Sequence, residues 1–226
     1  MTNALAIDTT SEFLGLALMK AGRLAANHYE ATGTEMNRSI LTVLDDLLAR
    51  AALKLEDLEL IAVARGPGSF TGTRIGLAVA KSFALVQGLP LVGVDTLRLL
   101  AAQGEAAEGE CFYAVLNCVR DEVYHAAFRW EGEGPQPLGE IGMSTLAALP
   151  ELVEEAPVVL RRFPPEQPGH EESLAKLNRL PLRHPAPDCA LLLSEALRMH
   201  RAHGGRPLPP AEPIYLKPEA FRKWKP

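Results

Sequence analysis

Between Ala64 and Val86 the chain reads ARGPGSFTGTRIGLAVAKSFALV, with Gly66, Gly68 and Gly72 crowded where a strand ends and a helix begins. The chemistry open to such a segment is anion binding. Glycines let a backbone approach a phosphate, and the positive end of the following helix attracts it. The letters fail the specific tests. A P-loop needs Gly-Lys-Ser/Thr, whereas Gly72 is followed by Thr73 and Arg74. A dinucleotide fingerprint needs its third glycine one residue before Gly72, although Asp95, closing the next strand, could imitate the ribose-binding acid. A buried core helix with a tight entry turn accounts for the apolar letters. It does not explain why Gly72, Gly76, Ala80 and Ala84 recur every four residues. That spacing lines up small side chains in one stripe and lets another backbone come close. The neighbour is this chain's own sheet or a second subunit; the spacing admits both.

Other reactive constellations are sparse. His200 and His203 stand i, i+3 but have no evident third ligand, so a solvated helix end is the expectation. Neither a GxSxG nucleophile elbow nor an HExxH motif occurs. Cys111, Cys118 and Cys189 are odd in number and lack CxxC spacing, which argues against staples and zinc and for a reducing compartment. The tail Lys217–Pro226 interleaves basic and aromatic residues, a composition able to hold single-stranded RNA; a terminal strap or frayed end is the commoner cause. With 23 basic against 28 acidic residues the net charge is −5. That is the wrong sign for a chain that grips nucleic acid through its phosphates.

The elements that must position these residues follow from periodicity. Ala4–Thr9, Phe13–Met19 and Arg23–Tyr29 read as strands joined by short turns. Ile40, Leu41, Val43, Leu44, Leu47 and Leu48 then recur at helical spacing. Leu58–Ala64 reads as a strand, Gly72–Val86 as a helix, Leu89–Val94 as a strand and Thr96–Gln103 as a helix. The order β-β-β-α-β-α-β-α implies a mixed sheet with helices on its faces. Gly104–Glu110 is small and acidic, and a lobe boundary is placed there, giving lobes 1–104 and 105–226. The opening plan then returns. Cys111–Asn117 and Glu122–Trp130 read as strands around a turn at Val119–Asp121, with Pro137–Ile141 a third strand and Ser144–Glu154 a helix. Arg162–Pro187 is expected to hold loops with at most a short helix. Asp188–Ala202 reads as a helix with Leu191, Leu192, Ala196 and Met199 on one side, and Ile214–Lys217 as a strand. This last helix could pack on the first lobe. The apolar stretch Ile75–Val94 is broken by Lys81, Gly88 and Pro90, short of the ~20 apolar residues a membrane span needs. The opening MTNALAIDTT lacks the basic and apolar regions of a signal peptide, so the expected location is the cytoplasm.

The run from Gly66 to Leu97, GPGSFTGTRIGLAVAKSFALVQGLPLVGVDTL, resembles the signature of the TsaB (YeaZ) family, usually GPGSFTGLRIGL followed by an Ala-rich helix; Thr73 is the clear change. Leu5–Thr10 resembles that family's opening strand and turn, Glu122-Val123-Tyr124 its second-lobe EVY, and Pro213–Lys217 its terminal P-x-Y-L-R. The resemblance implies an α/β chain with the two-lobed fold shared by actin, Hsp70 and sugar kinases (ASKHA). Each lobe would hold a mixed sheet with flanking helices, the second lobe reduced. It implies a dimerisation subunit without catalytic residues. Such a subunit pairs with TsaD, the ATPase TsaE joining them, for transfer of threonylcarbamoyl to the exocyclic amine of the tRNA adenosine next to the anticodon. ATP or ADP and metal would belong to those partners, with none in the isolated chain. tRNA would be met only through the complex, no membrane is involved, and a homodimer is expected in isolation.

Carried onto this chain, the family's subunit contact falls on Gly68, Ser69, Phe70, Thr71, Gly72, Arg74, Ile75, Gly76 and Ala80. Gly76→Leu or Ala80→Trp should then break association and leave the monomer folded. The resemblance also marks Asp8, Thr9 and Thr10 as a vestigial nucleotide site. Asp8 stands where actin-fold enzymes keep a phosphate-metal acid, but no glycine follows it. Asn117-Cys118 stands in place of Asp-Ala, and Leu160–Pro165 in place of a GDGA-like stretch. The stretch Glu35–Leu41 holds no HxxxH metal pair, and Arg38-Ser39 replaces the His-Ser of many members. The alternative reading is a stand-alone nucleotide-binding or peptidase-like enzyme of the same superfamily, or a phosphate module using Gly66–Gly72.

Overall fold

The computed structural model describes residues 2–31, 36–118, 121–132, 134–160, 170–182, 188–204 and 206–216, with the side chains of 36–39 outside that description. The expectations for the turn at 119–120, for residues 162–169 and 183–187 of the Pro-rich stretch, for the side chains of Arg38 and Ser39 and for the tail from Lys217 fall outside the described residues.

The first sheet runs in the order β3-β2-β1-β4-β5. Its strands are β1 (Ala4–Asp8), β2 (Phe13–Lys20), β3 (Arg23–Ala31), β4 (Leu60–Ala64) and β5 (Leu91–Val94). β1–β3 form an antiparallel meander; β4 lies parallel to β1 and β5 parallel to β4. Ala21 and Gly22 supply the two positive φ angles that a two-residue hairpin loop needs between Lys20 and Arg23. β1 and β4 are buried along their whole length, as strands covered on both faces must be. Helices α1 (Met36–Ala51) and α2 (Phe70–Gln87) cover one face, packing on the large residues Leu5, Ile7, Leu16 and Val63. On the other face the strands turn alanines outward: Ala4, Ala6, Ala17, Ala62 and Ala64. Helix α6 (Cys189–His203) lies close over this smooth face through Leu192, Leu193 and Ala196. Its buried side is wider than the spacing foretold, since Leu197 and Glu195 are also buried.

The second sheet, also of five strands, has the order β10-β6-β7-β8, with β9 also paired to β7. Here β6 is Cys111–Asn117, β7 Glu122–Glu131, β8 Gly134–Pro137, β9 Gly142–Thr145 and β10 Val158–Leu160. Helix α3 (Thr96–Gln103) is buried over its whole length. It turns Leu97, Leu100 and Ala101 into the core of the second sheet and Leu99 toward the first. The architecture is therefore two-lobed, each lobe a mixed sheet with flanking helices.

Three expectations need correction. The third strand of the second lobe is split into β8 and β9 instead of spanning Pro137–Ile141. The helix expected over Ser144–Glu154 shrinks to α4 (Leu149–Val153), because Ser144 and Thr145 pair with Val123 and Glu122 of β7. Strand pairing outweighs helix propensity there. Ile214–Leu216 is not a strand. Pro207, Pro209, Pro210 and Pro213 have no N–H for a ladder, and residues 206–216 run as a strap with one bond from Ile214 N–H to the Arg65 carbonyl, 2.9 Å. A short helix, α5 (His170–Ala175), does occur in the stretch expected to be mostly loop.

One ion network ties the layers. Glu195 of α6 accepts from Arg98 of α3 at 2.8 Å and from Arg198 at 2.8 Å, with the Glu195 and Arg98 side chains 6% and 10% exposed. Removing the shared carboxylate strands two guanidinium groups, one of them buried. Glu195→Ala is therefore expected to cost about 3–5 kcal/mol in chemical denaturation, the range for breaking a buried pair.

Candidate functional site

The glycine loop leaves β4 at Ala64 and folds back over the turn between β1 and β2. Gly66 has φ +89°, a left-handed conformation that side chains resist, and its carbonyl accepts from Thr96 N–H at 2.8 Å. Ser69 caps α2: its Oγ accepts from Gly72 N–H at 3.2 Å. The cap starts the helix at Phe70, two residues before the apolar pattern shows it. Gly88, at φ +65°, ends it.

The small-residue stripe meets this chain's own first turn. A Cβ on Gly68 would run into the Thr10 carbonyl, one on Gly72 into the Thr9 carbonyl, and one on Gly76 into Thr9 Oγ1. Ala80 is fully buried over the sheet. Thr9 Oγ1 donates to the Gly72 carbonyl at 2.7 Å, and Ser69 N–H donates to the Thr10 carbonyl at 2.7 Å. Of the two neighbours the spacing admitted, the structure selects the internal one. Gly72, Gly76 and Ala80 are thus buried under this chain's own turn and sheet, and Gly68, half-buried, packs against Thr10. Substitutions such as Gly76→Leu or Ala80→Trp would strike the fold before any interface.

The opposite side of α2 faces solvent. Ser69, Phe70, Thr71, Arg74, Ala78, Ser82, Leu85 and Val86 are exposed, and Ile75 is half-buried. Phe70 is 45%, Leu85 84% and Val86 78% exposed, values unusual for large apolar side chains within one helix. Arg74 lies over the Phe70 ring, its guanidinium carbon 3.7 Å from the centroid, and its Nε donates to the Tyr215 hydroxyl at 2.8 Å. Lys81 pairs with Glu212 of the strap at 2.9 Å. Of the residues expected at a subunit contact, Ser69, Phe70, Thr71, Arg74 and Ile75 share this side. Ala78, Ser82, Leu85 and Val86 join them without having been singled out, since an apolar letter near a helix end does not reveal which way it points.

The vestigial site offers little room for phosphate. Asp8, Thr9 and Thr10 are all buried. Asp8 Oδ1 already accepts from Thr10 N–H at 2.9 Å and from Thr10 Oγ1 at 2.7 Å. Three of the loop's own donors are also engaged: Ser69 N–H by the Thr10 carbonyl, Gly72 N–H by Ser69 Oγ, and Thr73 N–H by the Ser69 carbonyl. These residues do not fit a nucleotide's phosphate chain, nor does the loop fit the phosphate-cradle alternative. Asp95 is the N-cap of α3, accepting from Arg98 N–H at 2.6 Å. Burial pushes its carboxyl up, against the opposing pull of that bond and of Arg65. This is a structural acid, not a ribose ligand. In the second lobe, burial and a hydrogen bond with Cys118 push the Tyr124 phenol up. Among the described residues no group of three or more His, Cys, Asp or Glu side chains could hold a metal, and no helix is long and apolar enough to cross a membrane. His203, at the end of α6, has Nδ1 3.2 Å from the Met199 carbonyl.

Residues 30–188 match the family model described as TsaD: tRNA N6-adenosine threonylcarbamoyltransferase. The TsaB protein of Escherichia coli K12, a tRNA threonylcarbamoyladenosine biosynthesis protein, is 37% identical over 136 residues, 57% of this chain and 58% of that one. The TsaB protein of Bacillus subtilis is 33% identical over 129 residues, 56% and 55% of the two chains. The matched segments thus span a little over half of these curated relatives. A crystal structure from Pseudomonas aeruginosa, described as an uncharacterized protein with similarity to peptidase YeaZ, superposes with a TM-score of 0.74 at 25% identity. It covers 96% of this chain and 100% of its own.

Two substitutions test how α2 is seated. Gly72→Ala should cost about 1–3 kcal/mol in denaturation, the usual penalty of overpacking, because the Thr9 carbonyl cannot swing aside as a side chain could. Thr73 is buried at 1% exposure and its Oγ1 has no hydrogen-bond partner among the described residues. Thr73→Val, of nearly equal shape, should therefore stabilise the chain by roughly 1 kcal/mol in the same measurement.

Proposed function

This chain belongs to the tRNA N6-adenosine threonylcarbamoyltransferase family, where its kin are the TsaB (YeaZ) proteins, and from that premise we propose that it is a non-catalytic subunit of tRNA threonylcarbamoyladenosine biosynthesis. It binds and activates TsaD, with TsaE joining the pair, for transfer of the threonylcarbamoyl group to the exocyclic amine of the tRNA adenosine beside the anticodon. ATP or ADP and metal act on those partners. The work is done in the cytoplasm, and a homodimer forms when the partner is missing.

The observation that carries this reading is the outer side of α2. It presents small and apolar groups to water along its whole length, while the inner side closes the one turn where the superfamily would hold phosphate. A surface with Ala78 and Ser82 at its centre and Phe70, Leu85 and Val86 at its ends lets another helix approach closely and bury the ends. The net charge of −5 agrees with tRNA being held mainly by the partner, since phosphate contacts need positive surface.

Reconstitution tests the role. Modification of tRNA by TsaD, TsaE and the enzyme that makes threonylcarbamoyl-adenylate should collapse when this chain is withheld; undiminished modification would refute the reading. Leu85→Asp together with Val86→Asp should weaken binding to TsaD by at least ~10-fold in calorimetry, a hot-spot-sized loss. Both side chains are exposed, so the melting temperature of the isolated chain should hardly move.

A further inference from the structure

We propose that Tyr215 is a positioning residue of the partner-binding face: the strap that carries it sets Phe70 and Arg74 in place before a partner arrives. The proposal rests on the partner reading above and concerns the other end of α2 from Leu85 and Val86. An exposed Phe and an exposed Arg on the first turn of a helix would ordinarily sample several rotamers, and ordering them on association costs affinity. Here they are in contact with Tyr215 and with each other. The Phe70 and Tyr215 rings lie 5.3 Å apart at 41°, and Arg74 sits 3.7 Å from the Phe70 centroid and 5.4 Å from that of Tyr215. The Tyr215 hydroxyl accepts from Arg74 Nε at 2.8 Å.

Tyr215 is itself held from behind. Ile214 N–H donates to the Arg65 carbonyl at 2.9 Å, Glu212 pairs with Lys81 one helical flank away, and Ala211 is buried against Gly93. The strap thus runs from the end of α6 to the first turn of α2 and is pinned along the way. Tyr215 remains 39% exposed beside Phe70, so its ring also belongs to the surface that TsaD would meet. The partner-binding face is accordingly composite, built from α2 and from a segment 141 residues away from Arg74.

The experiment compares Tyr215→Phe, Tyr215→Ala, Arg74→Gln and the double variant Arg74→Gln/Tyr215→Ala, reading TsaD affinity by calorimetry and the melting temperature of the isolated chain. Tyr215→Ala should bind about tenfold more weakly, as expected for loss of an aromatic anchor. Tyr215→Phe, which keeps the ring stack, should recover most of that loss. The double variant should bind more tightly than the product of the two single losses implies, the signature of residues that act together. If Tyr215→Ala fails to fold, Arg74→Gln, an exposed change, must reproduce the loss by itself. Wild-type affinity for Tyr215→Ala or for Arg74→Gln, or no coupling in the double variant, would overturn the proposal. If the Leu85/Val86 substitutions abolish binding while Tyr215→Ala does not, the strap role fails and the partner reading stands. If the Leu85/Val86 substitutions are also without effect, it is the partner reading that has failed.

Discussion

Helix α2 can lie against the β1–β2 turn only because Gly68, Gly72 and Gly76 have no side chains there. Each occupies a position where a single carbon would strike Thr9 or Thr10. Two short hydrogen bonds, Thr9 Oγ1 to the Gly72 carbonyl and Ser69 N–H to the Thr10 carbonyl, fasten the contact where water does not compete. Everything distinctive about the chain follows from this seating. The turn that phosphate would need is filled by protein, and the helix, held so firmly on one side, turns its other side outward. The same glycines that suggest a ligand loop on paper serve here to seat the helix on Thr9 and Thr10.

The seating depends in turn on how the sheet is dressed. Large aliphatic residues on one face of the first sheet make the core under α1 and α2, while alanines on the other face let α6 lie close. α3, buried end to end, carries the core across to the second sheet. Two buried carboxylates in this interior are matched with partners. Asp95 caps α3, and Glu195 is shared between Arg98 and Arg198. A buried carboxylate with two cationic partners does little for net stability compared with a well-packed apolar group, but it is costly to break. It fixes α6 relative to α3, and α6 leads directly into the strap.

The working surface therefore has a layered origin. The sheet positions α2, the glycines set its rotation, and the rotation decides which apolar residues reach solvent. Arg74 spreads its guanidinium over Phe70 and ties to Tyr215, so a long charged side chain becomes a flat, fixed part of the surface.

Much of this was legible in the sequence, and the limits are informative. Strands at Ala4, Phe13, Arg23 and Cys111 and helices α2, α3 and α6 could be read because apolar periodicity and caps are local properties, carried by residues a few positions apart. The second lobe's Ser144–Thr145 misled because strand pairing with β7, a remote contact, outweighed local helix preference. The family signature was visible in Gly66–Leu97, letter by letter. What the letters left open was the direction in which the small stripe faces. Spacing every four residues requires a close neighbour but does not name it; only the folded chain, with Thr9 and Thr10 lodged against those glycines, decides that the neighbour is internal. The pairing of Tyr215 with Arg74 was equally out of reach, since a contact across 141 residues exists only after the sheet, α6 and the strap have brought the two together.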